Sequence, residues 1–449
     1  MDWCVRAFQF LLCLSSVAVA SHLSGCSAIA QTNAEASLLA RIDSLASGEA
    51  QSGLLSGVIL IARGDRILLQ RSYGFASWEL RAPATTATRF GIASITKLMT
   101  QTLVEMLAAE DRLDLDAPVS RYLGPFPAGP KGGLVTIRHL ATHRSGVPHR
   151  VTDETAETLP LHPSDIVERV RAKGLLFEPG TQDLYSSAGF SCLARVIELI
   201  EGKPFDSILR DRIFRPASMA RASGETGQQL MPQRALPYRL GATAGAVAVA
   251  SAPYTNLGFL TGAGSVYATA EDLLRFVRAV RNGVFGPAAT ARSAESASHT
   301  WRSWYGRTHG YEASVDLLPA ADVTFVFLSN LRSAANWQVR EQVKNLLTGR
   351  KAAAILRPPP PLDTSFETLD GLLGSYGDPS DPIVVRTVDG HLFRDENEFY
   401  PIVGGRYYIP ASGSVMRFRR TSDGNVDAIV TVSPWAGAER LALKLPARQ

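Results

Sequence analysis

Arg89-Phe90-Gly91-Ile92-Ala93-Ser94-Ile95-Thr96-Lys97 is the stretch on which the reading of this chain turns. After Ser94 the apolar residues Ile95, Leu98, Met99, Leu103, Met106 and Leu107 follow at helical spacing. Ser94 therefore opens a helix, with Lys97 three positions on and on the same face, where its amine can reach the hydroxyl. A helix N-terminus favours a developing alkoxide, and an uncharged lysine can take the hydroxyl proton. Lysine is scarce here, with seven in 449 residues, so a serine–lysine pair carries more information than usual.

Composition sets the frame around this pair. Hydrophobic residues make up 45% and charged residues 20%, which is ordinary for a globular protein and excludes a wholly disordered, collagenous or multi-span membrane chain. Lys+Arg 46 nearly balances Asp+Glu 42, for a net charge of +4, and no run of five or six basic residues occurs. Nucleic-acid binding has no compositional support.

The N-terminus reads as a targeting segment. Arg6 precedes an apolar stretch from Ala7 to Ala20, too short to span a membrane as a helix and suited to a signal-peptide core. Leu23-Ser24-Gly25-Cys26 resembles a bacterial lipobox, whose cysteine is lipidated and becomes the mature N-terminus. The expectation is a signal peptide over 1–26 with lipidation at Cys26 and a periplasmic, membrane-anchored protein. A plain secretory cut after Ala20 or Ala30 is the alternative. Cysteines at 4, 13, 26 and 192 imply no disulfide framework, and Cys192 sits in an apolar helical pattern as an inert buried thiol.

Residues 27–36 read as a tether and Ser37 to Ala46 as a helix. Gly57 to Arg63 and Arg66 to Tyr73 read as two strands around a Gly64-Asp65 turn. Helical patterns recur around Phe190 to Ile197, ending at Gly202, and around Leu273 to Val280 with Thr269 as N-cap. Tyr311 to Leu318 and Val323 to Leu328 read as strands before a helix around Val339 to Leu347. Strands early and late with helices between predict an α+β domain over 37–350: one antiparallel sheet with an inserted helical lobe. Pro358 to Pro361 marks a stiff linker over 351–362. Short β-like pieces among Gly, Asp and Pro turns predict a small all-β domain over 363–449.

Several segments resemble the serine β-lactamase and penicillin-binding-protein superfamily, in its order. Arg89 to Lys97 is similar to its nucleophile segment. Val135-Thr136-Ile137-Arg138-His139-Leu140-Ala141-Thr142-His143-Arg144-Ser145-Gly146-Val147-Pro148 resembles I-R-H-L-L-T-H-T-S-G-L-P. Phe177-Glu178-Pro179-Gly180 with Tyr185-Ser186-Ser187 resembles F-x-P-G with Y-S-N, Pro216 to Met219 resembles P-L-G-M, and Gly262 to Ser265 leading to Thr269 to Asp272 resembles A-G-G-L…T-A-x-D-L. The likeness is greatest to class C-type hydrolases, which include esterases and D-amino-acid peptidases as well as β-lactamases. It implies Ser94 as nucleophile, Lys97 as its base and Tyr185 as second base or proton shuttle, with no metal or cofactor.

Two positions depart from the family. Ser187 stands where Asn is usual; its hydroxyl can still hydrogen-bond Lys97 but lacks the reach of an amide. Gly310 to Ser314 resembles the later half of the third family element, which places Trp304-Tyr305-Gly306 where K-T-G or H-x-G is usual. Tryptophan there resembles the esterase members. In this register the Arg307 N–H would join that of Ser94 in an oxyanion hole. A rival register uses Arg307-Thr308-His309-Gly310 but leaves no room for the turn. His139 and His143 stand at i and i+4 within a matched segment, where a structural role is expected rather than metal ligation.

The resulting expectation is an acyl-enzyme hydrolase acting on a small ester or amide, an esterase first. D-amino-acid peptidase or transpeptidase, acting on a peptidoglycan-derived peptide, comes second and β-lactamase third. Ser187 and Trp304 also keep open a non-catalytic cell-envelope binding lipoprotein.

Overall fold

The computed structural model describes residues 33–225, 230–243, 246–294, 300–362, 371–378, 381–388, 391–395, 397–434 and 439–446. The expected signal peptide and Cys26 lie outside them.

A five-stranded antiparallel sheet organises the first domain. Its strands are β1 (Gly57–Arg63), β2 (Arg66–Tyr73), β3 (Arg302–Thr308), β4 (Tyr311–Leu318) and β5 (Val323–Ser329), in the order β3-β4-β5-β1-β2. The continuous apolar run of β1 follows from its central place. Val58, Leu60 and Ala62 face the helical lobe, while Ile59 and Ile61 face the opposite layer. That opposite layer is α1 (33–51) and α5 (Ala334–Leu347), which bury Ile42, Ala46, Val339 and Val343 against the sheet. The lobe on the other face contains α2 (Thr96–Ala109), α3 (Ser187–Glu201) and α4 (Ala270–Arg281).

Local signals set the helix ends. Ser186 caps α3 by accepting from the Gly189 N–H, and Gly202 ends it in the left-handed region at φ 68°. Thr269 caps α4 in a reciprocal box with Asp272. Helix α1 begins earlier than expected, so residues 33–36 are helical rather than tether. The reason is long-range: Glu35 is held by Arg63 and Arg66, which flank the β1–β2 turn. Cys192 is a fully buried free thiol, pushed up to about 12 by its burial.

The proline-rich segment is tied down rather than free. Leu356 exchanges hydrogen bonds with the Gln338 amide of α5, the Tyr400 hydroxyl donates to the Pro359 carbonyl (2.9 Å), and the Leu362 N–H donates to Pro401 (3.0 Å). Beyond it, eight antiparallel strands form a meander from Gly374–Asp378 to Glu439–Leu443. The meander closes on itself. Tyr376 bridges to Lys444, and the Leu445 N–H donates to Ser375 (2.8 Å). The result is a small barrel filled by side chains including Tyr376, Phe399, Met416 and Ile429. Among the described residues no helix is long and apolar enough to cross a membrane.

The barrel docks on the antiparallel strand pair Tyr238–Thr243 and Ala246–Ser251 of the first domain. Tyr400, Ile402 and Tyr408 pack on Ala242 and Val247. At the centre of this junction Glu398, with 2% of its side chain exposed, pairs with Arg239, accepts from the Ala242 N–H (3.1 Å) and meets His391 Nδ1 at 2.9 Å. Removing one member of a buried pair leaves the other uncompensated, at a cost of about 3–5 kcal/mol. Glu398→Leu should therefore lower the urea midpoint of the first unfolding transition markedly, and adding Arg239→Leu should recover most of the loss. A Glu398→Leu midpoint equal to wild type would show that the pair does not hold the junction.

Candidate active site

Ser94 sits in a short 3-10 turn, Ala93–Ile95, that runs directly into α2. Ala93, just before it, has φ +45°, an uncommon conformation for a residue with a side chain and one that concentrates at functional turns. The Lys97 Nζ lies 3.2 Å from Ser94 Oγ, 3.2 Å from Ser187 Oγ and 2.9 Å from the Ala263 carbonyl oxygen. Tyr185 hydrogen-bonds Ser94. The rings of Tyr185 and Phe190 cover the amine, with centroids 4.8 and 5.6 Å away.

These contacts decide the charge of the amine. Burial pushes Lys97 down from the ordinary 10.5 to about 7, and among the described residues no carboxylate is placed against it to restore the charge. An uncharged amine has two N–H groups and one lone pair. Donation to Ala263 and Ser187 uses the two hydrogens and leaves the lone pair for the Ser94 hydroxyl. The Tyr185 phenol moves the other way: burial raises it, partly offset by its bond with Ser94. Lysine is thus the group able to accept a proton near neutral pH, and tyrosine the group that keeps one.

The segment 262–266 is clipped to α2 to present that carbonyl. Thr100 Oγ1 donates to the Gly262 carbonyl (2.6 Å), and the Val266 N–H donates to Thr96 Oγ1 (3.3 Å). Gly262 has φ +80°, and a Cβ there would stand 2.6 Å from that of Ala194 on α3, so only glycine fits.

Strand β3 forms the other wall. A Cβ on Gly306 would overlap the Ile92 carbonyl and stand 2.8 Å from the Ser94 nitrogen, so the strand backbone abuts the Ser94 amide at this point. His309 and Gly310 make the β3–β4 turn, with Gly310 at φ +76°, so the rival register over 307–310 runs out of the strand and away from Ser94. Alternation along β3 puts Trp304 and Gly306 on the face of the helical lobe, where Trp304 packs on the main core. Tyr305 and Arg307 share the opposite face with Glu312, their side chains directed to the α5 layer, where Arg340 stacks on Tyr305 at 5.0 Å. The Arg307 side chain is therefore directed away from the Ser94 side of the strand.

The structure therefore brings Ser94, Lys97, Tyr185 and Ser187 together, with Gly306 at the Ser94 amide. Sequence reasoning missed the Ala263 carbonyl, although the matched segment around Gly262 pointed to its neighbourhood. It also missed the loop that holds Tyr185 and Ser187. Among the described residues no cluster of His, Cys, Asp and Glu is arranged to hold a metal ion.

Lys97→Met removes the buried amine, and the sign of its effect follows from the two states. The unfolded lysine keeps its proton up to about 10.5 and the folded one only to about 7, so wild-type stability rises with pH between those values. The variant should be more stable than wild type at pH 7, by on the order of 2–4 kcal/mol, and the gain should fade toward pH 10. Thermal melts across this range check it; a gain that does not change with pH contradicts an uncharged Lys97.

The comparisons agree with this geometry. The Beta-lactamase family model matches residues 40–346. Penicillin-binding protein 4* of Bacillus subtilis (strain 168) is 31% identical over 262 residues, covering 54% of this chain and 55% of that protein. The chain spans about half the length of the curated relatives it matches. The fold is shared with EstCE1, described as a hydrolase with promiscuous acyltransferase activity (TM-score 0.57, 21% identity, 66% of this chain and 94% of that one). It is shared also with SurE (TM-score 0.61, 18% identity), over 92% of this chain and 100% of that one. With its family model matched over more than half of its length, the chain belongs to the Beta-lactamase family of serine hydrolases.

Proposed function

We propose that this protein is an esterase that works through an acyl-enzyme on Ser94. The observation that carries the reading is the buried Lys97 amine, 3.2 Å from the Ser94 hydroxyl and pushed down toward neutral pH by its burial. A protein that only binds has no use for a buried amine, whose burial costs stability.

The steps follow from the positions. Lys97 takes the hydroxyl proton as Ser94 Oγ forms a bond to the acyl carbon. The oxyanion receives hydrogen bonds from the Ser94 N–H and, across the Gly306 contact, from the Arg307 N–H. The carbon–oxygen bond to the alcohol breaks, and the proton passes from Lys97 by way of the Tyr185 hydroxyl to the departing oxygen. Water then attacks the acyl carbon, gives its proton back along the same path, and frees Ser94.

The ester preference rests on Trp304 and Ser187. A lysine on β3 would offer a charge to a substrate carboxylate, and Trp304 offers an apolar wall on the Gly306 face instead. The Arg307 side chain, directed to the other face, does not replace that charge. Ser187 is committed to Lys97 and has no amide with which to hold a substrate amide. Loss of one charge-assisted hydrogen bond is worth roughly 1.5–3 kcal/mol, or about ten- to a hundredfold in binding.

The kcat/KM for p-nitrophenyl butyrate should therefore exceed that for a chromogenic cephalosporin by at least about tenfold. Trp304→Lys should narrow the gap, and Ser94→Ala should abolish both activities. A cephalosporin value equal to or above the ester value would overturn the esterase preference and leave the peptidase or β-lactamase reading of the same site.

A further inference from the structure

Two histidines outside the proposed chemistry hold the segment that carries Tyr185 and Ser187. The His143 carbonyl accepts from the Leu184 N–H (2.9 Å), and its Nδ1 accepts from the Ser186 N–H (3.1 Å). One residue thus grips the amides on both sides of Tyr185. His149 repeats the pattern one step on: its Nδ1 accepts from the Ser187 N–H (3.4 Å) and its carbonyl from the Ala188 N–H (3.2 Å). Between them, the Pro148 carbonyl accepts from Ser186 Oγ (2.9 Å).

The rings act on the same target. His143 lies against Tyr185, centroids 4.4 Å apart and planes 34° apart, and against Phe190 at 5.0 Å. His149 meets Tyr185 from another side at 5.4 Å. His143 adopts φ +61°, an uncommon conformation for a residue with a side chain and one that the surrounding contacts must sustain.

We infer that His143 and His149 are positioning residues: through their Nδ1 acceptors and their rings they fix the Tyr185 phenol on Ser94 and the Ser187 hydroxyl on Lys97. The inference rests on the proposed function. It requires imidazoles that are neutral and carry their proton on Nε2, since only a bare Nδ1 accepts. Burial, with Lys97 and His149 nearby, pushes His143 down to about 4, which keeps it an acceptor over the working range. The dependence on pH enters through Lys97. Tyr185 and His143 face it with titratable groups, with His149 next to His143; the 3-10 turn before α2 contributes the Ser94 hydroxyl, α3 the Ser187 hydroxyl and the Phe190 ring, and the 262–266 segment a carbonyl.

The test compares His143→Phe, which keeps a ring and loses the acceptor, with His143→Asn, whose Oδ1 restores an acceptor. Ester hydrolysis by the full chain is measured across pH. His143→Phe should lose about 10- to 100-fold in kcat with KM within about threefold. Its acid limb should move up by a unit or more, because a loosened Tyr185 and Ser187 let water reach Lys97. His143→Asn should recover part of both. A folded His143→Phe protein with unchanged kcat and acid limb, or an Asn variant no better than Phe, overturns the inference. If His143→Phe does not fold, the same comparison at the partly buried His149 decides by the same criteria. Full hydrolysis by Ser94→Ala would sink the functional reading together with this inference. An inactive Ser94→Ala beside an unmoved histidine profile would overturn the inference alone.

Discussion

A lysine amine kept out of water, with no carboxylate beside it among the described residues, is the constraint around which the active-site half of the molecule is arranged. Such an amine is costly to bury charged, so it gives up its proton far more readily than an ordinary lysine and must spend its few hydrogen-bonding groups well. Ser187 and the Ala263 carbonyl take its hydrogens, and Ser94 is left facing the lone pair. Each of these partners needs its own support. The Ala263 carbonyl depends on the clip between α2 and residues 262–266, and that clip depends on a glycine at 262. Ser187 depends on the cap of α3 and on the loop ending at His149. Strand β3 closes the arrangement from the far side, where Gly306 admits the backbone to within reach of the Ser94 amide.

The same logic separates the two faces of β3. Trp304 and Gly306 look into the lobe, with Gly306 at the Ser94 amide, while Tyr305, Arg307 and their neighbours on β4 belong to the α5 layer. There Asp316 lies fully buried, held by Arg340 and by Ser314 and Ser303. One strand therefore abuts the Ser94 amide on one side and meets structural ion pairing on the other, and the arginine one residue beyond the glycine is directed to the second side. The barrel is joined to the first domain through the Arg239–Glu398 contact and through the Ala334 N–H at the start of α5, which donates to the Pro410 carbonyl (2.8 Å).

Much of this was legible in the sequence because it is local. The spacing of Ser94 and Lys97, the cap at Thr269, the stop at Gly202 and the two-faced apolar run of β1 each express a period or a cap that a short window contains. The departures at Ser187 and Trp304 were also visible, since they are single substitutions in matched segments. What stayed hidden is long-range. Glu35 extends α1 toward arginines 28 and 31 residues away. Barrel closure joins Tyr376 to Lys444. The histidine loop acts through backbone amides some 40 residues distant, and amides look alike in every sequence. His143 and His149 could be seen, but nothing in their spacing said what their nitrogens would meet.

The central claim is that Ser94 is made nucleophilic by an amine already uncharged near neutral pH. The direct measurement is the rate of covalent labelling by a fluorophosphonate, followed by intact mass and peptide mapping across pH 5 to about 10. The account expects a single adduct on Ser94, with the rate rising to a plateau through a midpoint near 7. An adduct on another residue, or a rate that is still climbing through pH 9 as an ordinary lysine would dictate, would contradict it.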